Sequence, residues 1–372
     1  MENDSNMIMH EKDLSKKILV YCFEKSKISI ILKWLRNNYA CEIVSSYIDF
    51  EQNDKAEIEI NKLQKELEIE TVKFYLVDTK KDFITDYIYP AVKANALYKD
   101  ENYINIAISM IAEKVINIAH KINAKIICHN FANGNKKIFE LMLKNIDPSI
   151  TIISPYIGNN NNQFFSDKKN IIEKQCNYKS IYENSMIFKK KINDLSIISL
   201  SFYRGIPVAI NERKYLPMQL ITKLDKIAYL NGIKKSKLIE EKVVETESIY
   251  IHCKSPAIKI LNLAHKELES ISIDKETIDF KQLVSFKYAE IIQNGLWFST
   301  LKEALDAFVN STQKYVTGTV MLKFYNGNII PISKKSKYSL QYEYSENLNT
   351  FYRNNNRFIK FCCDIPNVKV KK

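Results

Sequence analysis

Glycine is scarce in this chain of 372 residues: there are seven in all, and none before Gly134. Average usage of about 7% would place roughly nine in that opening stretch. A loop that cradles phosphate needs backbone positions that accept positive φ and close approach of the ligand, and the first 133 residues supply no glycine for one. The seven cysteines contain no CxxC pair, only the adjacent Cys362 and Cys363, which excludes a zinc pattern and a disulfide framework. Buried free thiols are expected instead. The five histidines form no HExxH or HxH spacing, so no protein-built metal site is expected. No apolar run reaches the length of a membrane span. The opening residues, Met1 to Lys17, carry acids and amides before any apolar stretch and no small-residue cleavage site, unlike a signal peptide. A soluble, cytoplasmic protein is expected.

What is present is a chain able to fold. Apolar residues make up 46% and aromatics 11%, dispersed in short periodic blocks, and the length allows two domains. The formal charge of +12 admits nucleic-acid binding, but the lysines are spread among many Asn and Ile residues rather than gathered on one motif. Nucleic acid therefore stays as a second alternative and not as the expected partner.

From residue 13 to 157, strand-like runs alternate with helical periodicity. Lys17–Tyr21, Glu42–Ile48, Val72–Val77, Lys125–Cys128 and Ile150–Ser154 read as strands, with helices near 29–36, 53–68, 80–98, 103–122 and 136–145. That rhythm implies right-handed βαβ units and a parallel sheet covered by helices. Ligands in such sheets sit at the carboxyl ends of the strands, here Tyr21–Ser29, Asp49–Gln52 and His129–Asn135. Residues 158–193 read as a linker or reduced insertion. Residues 194–338 read as an α+β domain, with strands at Leu195–Phe202, Gly205–Asn211, Lys237–Glu245 and Ser248–His252 and helices at 255–270, 275–293 and 300–314. A closing hairpin turns at Asn326-Gly327, and 339–372 form an arm.

Several stretches resemble argininosuccinate synthases, in the same order along nearly the whole chain. They are Ile31-Leu32-Lys33-Trp34-Leu35, Ala94-Asn95-Ala96-Leu97-Tyr98, Gly205-Ile206-Pro207-Val208-Ala209, Asn294-Gly295-Leu296-Trp297-Phe298-Ser299, Glu303-Ala304-Leu305-Asp306-Ala307-Phe308 and Val316-Thr317-Gly318-Thr319-Val320. The resemblance implies an α/β fold with a parallel-sheet nucleotide-binding domain of the pyrophosphatase-loop, adenine nucleotide alpha hydrolase-like type. An α+β synthetase domain and a C-terminal oligomerisation arm would follow. It also implies a homotetramer, and it leaves room for an intact synthase subunit as partner. The family reaction joins citrulline to aspartate: ATP adenylylates the ureido oxygen, pyrophosphate leaves, and the aspartate amine displaces AMP. ATP and Mg are implied only if that activity is retained.

The positions that would serve this chemistry have largely changed. The family's Ser-Gly-Gly-Leu-Asp-Thr-Ser loop after the first strand reads Phe23-Glu24-Lys25-Ser26-Lys27-Ile28-Ser29 here. Both glycines are gone, Glu24 repels phosphate, and only Ser29 matches. Lys25 and Lys27 could draw phosphate in another geometry. By this resemblance the degenerate nucleotide positions are Tyr21, Ser29, Ile48 and Gly134, and the degenerate substrate positions are Tyr103 and Asn135. Asp49 and Gln52 also match the stretch near the adenine, although a turn cap explains Asp49 as well. The family's citrulline-contacting Gly-Thr-Ser-x-Ala-Arg-Pro corresponds to 104–109, with Ile108 in the place of the arginine. The later Tyr-Glu pair maps to His252-Cys253, whose side chains would point to opposite faces of a strand. No catalytic residue and no metal ligand is assigned. The expectation is an impaired or inactive relative; the alternative is a still-active synthase or another adenylylating ligase with altered loops.

Overall fold

In Lys17–Tyr21 (β1) four of the five residues are buried, as expected of a strand covered on both faces. Its alternate residues serve two layers, since successive side chains on a strand point to opposite faces. Ile18, Val20 and Cys22 pack with helix α1, Ile28–Asn38, through Ile28, Ile31, Leu32 and Leu35. Leu19 and Tyr21 belong to the main core on the other side. The computed structural model describes residues 17–22, 28–50, 73–97, 100–131, 133–157, 164–165, 196–233, 255–325 and 327–340.

β1 lies between Glu42–Asp49 (β2) and Ile126–His129 (β4), parallel to both. Lys73–Asp78 (β3) and Thr151–Ile153 (β5) complete the all-parallel order β3-β2-β1-β4-β5. The order reverses between β1 and β4, which creates a crevice at their carboxyl ends. Helices on the core side are Lys80–Asp82 (α2), the π-helical Phe83–Ile88, Tyr89–Lys93 (α3), Asp100–Ile122 (α4) and Asn133–Ile146 (α5). The helix expected over 80–98 stops at Lys93, because Asn95 turns into the left-handed region at φ 55°. The helix expected at 53–68 lies outside the described residues, as do the strands expected at 237–245 and 248–252.

A second sheet is antiparallel, in the order β10-β9-β8-β11-β12, from Ser196–Tyr203 (β8), Ile206–Ile210 (β9), Arg213–Lys214 (β10), Gly318–Tyr325 (β11) and Asn328–Ser336 (β12). Along the chain between the two sheets comes a small antiparallel pair, Tyr156–Ile157 (β6) with Phe164–Phe165 (β7). Two-residue turns with positive φ at both positions, Arg204-Gly205 and Asn211-Glu212, join β8 to β9 and β9 to β10. Gly327 at φ 74° turns the expected last hairpin. Pro217–Leu230 (α6), Pro256–Ser272 (α7), Lys275–Gln293 (α8) and Thr300–Thr312 (α9) are the helices of this half. Asp274 caps α8 at the Thr277 amide (2.9 Å) and Ser299 caps α9 at Lys302 (3.3 Å). Helix α6 was not foreseen; its buried Leu220, Ile221, Leu224 and Ala228 follow helical spacing between two strand-like runs.

The two halves meet in a buried polar joint. Asn95 Nδ2 donates to Glu269 Oε2 (2.7 Å), Lys281 pairs with Glu269 and donates to the Lys93 carbonyl (2.5 Å), and Gln313 Nε2 donates to Glu269 Oε1 (2.7 Å). The Gln313 oxygen accepts from His265 Nε2 at 2.7 Å. Gly205 passes over this cluster so closely that a Cβ would stand 2.1 Å from Gln313 Oε1. Beside the joint Tyr87 stacks on Trp297 at 5.3 Å, and Lys302 lies over the same indole at 4.3 Å.

Candidate functional site at the carboxyl ends of the first sheet

Tyr21 ends β1, and in the parallel register it stands beside His129, which ends β4. The crevice between these strands is lined by rings. Tyr21 stacks on Phe131 (5.8 Å) and tilts against Phe139 (6.1 Å), while Phe131 and Phe139 meet at 4.5 Å. His129 packs edge-on to Phe139 at 5.0 Å. All four side chains are buried. Phe131 follows β4 directly, and Phe139 is carried inward on α5 together with Met142 and Leu143, one helical face aimed at the sheet.

His129 is the one imidazole in this cluster. The Phe131 amide donates to its Nδ1 (3.2 Å), so the ring proton sits on Nε2 and points to Glu140 Oε1, also at 3.2 Å. Burial pushes the imidazole below its ordinary range. The hydrogen bond from His129 holds the Glu140 carboxyl low.

Ile48 is buried near the end of β2, and Asp49 behind it pairs with Lys80 at 2.8 Å. The Asp49 carbonyl accepts from both the Thr79 amide (2.8 Å) and its hydroxyl (3.1 Å), so the turn after β3 closes on β2. Beyond β2, Phe50 meets Phe83 at 5.4 Å and Phe83 meets Tyr103 at 5.6 Å. Tyr103 thus serves as a half-buried packing ring on α4.

Three of the expected loop positions are helical. Ser29 is the second residue of α1, while Gly134 and Asn135 lie in the first turn of α5 and not in a loop preceding it. Gly134 is exposed, and a Cβ there would meet no heavy atom within 4 Å, so no close approach explains this glycine. The structure therefore brings Tyr21 together with Phe131, Phe139 and His129, and Tyr103 with Phe83; Ser29, Gly134 and Asn135 join neither ring group. Residues 23–27, Gln52, His252 and Cys253 lie outside the described residues.

The stretch 104–109 is continuous with α4. Ile106, Ala107, Ile108 and Ser109 are 0% exposed, and the Ser109 hydroxyl donates to the Asn105 carbonyl one turn back at 2.8 Å. Sequence reasoning missed Phe131, Phe139 and Lys80. The inward spacing of Phe139, Met142 and Leu143 was the available signal for the second of these; nothing in the sequence pairs Lys80 with Asp49.

Two family models cover this chain: the Arginosuccinate synthase N-terminal HUP domain over residues 18–177 and the Arginosuccinate synthase C-terminal domain over residues 161–360. The chain belongs to the argininosuccinate synthase family. The argininosuccinate synthase of Endomicrobium trichonymphae is 38% identical over 376 residues, covering 91% of this chain and 89% of that protein. That of Thermoanaerobacter pseudethanolicus is 37% identical over 359 residues, 87% of this chain and 86% of its own length. That of Clostridium tetani is 34% identical, with 87% and 88% covered. As the family description implies, the first sheet is a nucleotide-binding-type α/β layer and the second half an α+β domain. Among the described residues no helix is long and apolar enough to cross a membrane.

Proposed function

We propose that this member of the argininosuccinate synthase family keeps the family fold but no longer ligates citrulline to aspartate. The observation that carries the reading is the burial of 105–109 inside α4. Where the resemblance implies polar contacts to citrulline, the chain has Ile106, Ala107 and Ile108 at 0% exposure and a serine hydroxyl bonded to its own helix. The nucleotide side supports it. A triphosphate with Mg asks for backbone amides, hydroxyls and cations at the β1 and β4 ends. Among the described residues the groups gathered there are Tyr21, Phe131, Phe139 and a neutral, buried His129. Of the described lysines nearby, Lys136 in the first turn of α5 lies 3.8 Å from Glu140, and Lys80 is paired with Asp49. Among the described residues this donor set does not fit ATP and Mg, and no reaction step is assigned to it.

Cys22 and Cys128 are buried free thiols, which agrees with a reducing, cytoplasmic location. A homo-oligomer, by resemblance a tetramer, is part of the proposal. Phe280, Leu283 and Phe286 form a stripe on α8 at 55%, 64% and 61% exposure, and such a patch usually marks an interface. The arm at 339–372 lies outside the described residues except for its first two positions.

Calorimetric titration with citrulline tests the site directly. No heat of binding is expected at millimolar ligand, and saturable binding at one site per chain would contradict the proposal.

A further inference from the structure

A second concave site lies away from the first sheet, where β10 faces α6. It is a cleft of about 440 Å³ floored by Tyr215 and Met218 and rimmed by Arg213 and Lys214 on one side and Lys223 and Lys226 on the other. The two helix lysines, with Gln219 and Thr222, recur at three- and four-residue spacing and so share one face of α6. Among the described residues no carboxylate lines the cleft. The one acid on α6, Asp225, is turned to α7, where its Oδ1 accepts from the Ser255 hydroxyl (2.7 Å) and the Ala257 amide (2.9 Å). Glu212, one residue before Arg213, is exposed outside the lining. Among the described residues none of the four cations has an ion-pair partner; Arg213 rests only over the Tyr215 ring, at 5.5 Å.

Four like charges around one concavity repel one another and focus a positive potential into it. Elsewhere on this half several lysines are paired with acids: Lys287 with Glu290, Lys302 with Asp306 and Lys334 with Glu267. We infer that the cleft between β10 and α6 binds a compact polyphosphate anion. Its volume lies in the range of small-ligand sites, about 300–1,000 Å³, rather than of an extended groove. Four cations match the charge of two to three phosphate groups, each of about −1.5 to −2 at its terminus. The arginine offers a planar fork and the lysines point charges, the two ways proteins hold phosphate oxygens. The amino end of α6, whose first turn contributes Met218 and Gln219, adds partial positive charge. Free inorganic triphosphate and the triphosphate of a nucleotide share this chemistry.

Calorimetric titration of the full chain with inorganic triphosphate at low salt reads the site. Binding is expected, weakened at least roughly tenfold in Lys223→Ala/Lys226→Ala and retained in Lys223→Arg/Lys226→Arg. Both pairs are solvent-exposed, so circular dichroism should show an unchanged fold. Lys25→Ala/Lys27→Ala should bind as the parent does, which separates the cleft from the loop after β1. ATP binding as tightly as triphosphate identifies the phosphates as the recognised part; ATP binding much more tightly points to a nucleotide as the source. No binding at millimolar triphosphate, or binding indifferent to Lys223 and Lys226, would overturn the inference. So would a single-stranded oligonucleotide that displaces triphosphate with a steep salt dependence, because the ligand would then be a nucleic acid.

Discussion

Phe131 and Phe139 touch ring to ring at 4.5 Å across the point where the first sheet reverses its strand order. In a parallel sheet that crevice is where a nucleotide would enter, and here Tyr21 and His129 close around the pair. The rings contribute to stability in place of binding. Phe139→Ala should therefore cost about 3 to 5 kcal/mol, as for other fully buried aromatics, measured by urea unfolding. A loss under about 1 kcal/mol would mean that the cluster is loosely packed.

The parallel sheet was legible because β1, β2 and β4 are buried apolar runs of the right length, and the hairpin because Asn-Gly precedes β12. The ends of elements were not. Asn133 and Gly134 read as loop because asparagine and glycine favour turns, yet both open α5, where the inward-facing Phe139, Met142 and Leu143 pull the segment onto the sheet. Helix α6 was hidden because Pro217 looks like a breaker but sits in its first turn, where the missing N–H costs nothing. At the site, the loss of family residues could be read directly, whereas their replacement by a ring cluster joins Tyr21 to Phe139 across 118 positions of chain, beyond any local pattern.

The joint at Glu269 predicts a different sensitivity. Glu269→Ala leaves Lys281 buried opposite no carboxylate, which should cost about 3 to 5 kcal/mol. Lys287→Ala breaks only an exposed pair with Glu290 and should cost under about 1 kcal/mol. Equal effects in thermal unfolding would show that the joint contributes little.

Acid should weaken the fold through His265. Burial lowers its folded pKa below the unfolded value of about 6.5, against the opposing pull of Glu269 and the hydrogen bond to Gln313, with Lys281 and Lys93 adding to the lowering. A depressed histidine contributes stability that is complete above that value and is lost as pH falls toward the folded pKa. Stability should therefore fall as pH drops from about 7.5 toward about 5.5. His265→Gln should flatten that part of the stability profile; a profile unchanged by the substitution would contradict the assignment.

Assembly is expected through α8. Light scattering should give a homo-oligomer, and Leu283→Glu with Phe286→Glu, both exposed in the single chain, should shift it toward monomer without unfolding it. A parent protein that is monomeric at micromolar concentration would remove the interface from the account.

The central claim is tested most directly by citrulline-dependent release of AMP and pyrophosphate from ATP, assayed with purified protein at millimolar ATP, citrulline and aspartate. No release above the citrulline-free control is predicted, because 105–109 are buried in α4 and rings occupy the ends of β1 and β4. Sustained citrulline-dependent turnover, with argininosuccinate as product, would contradict it.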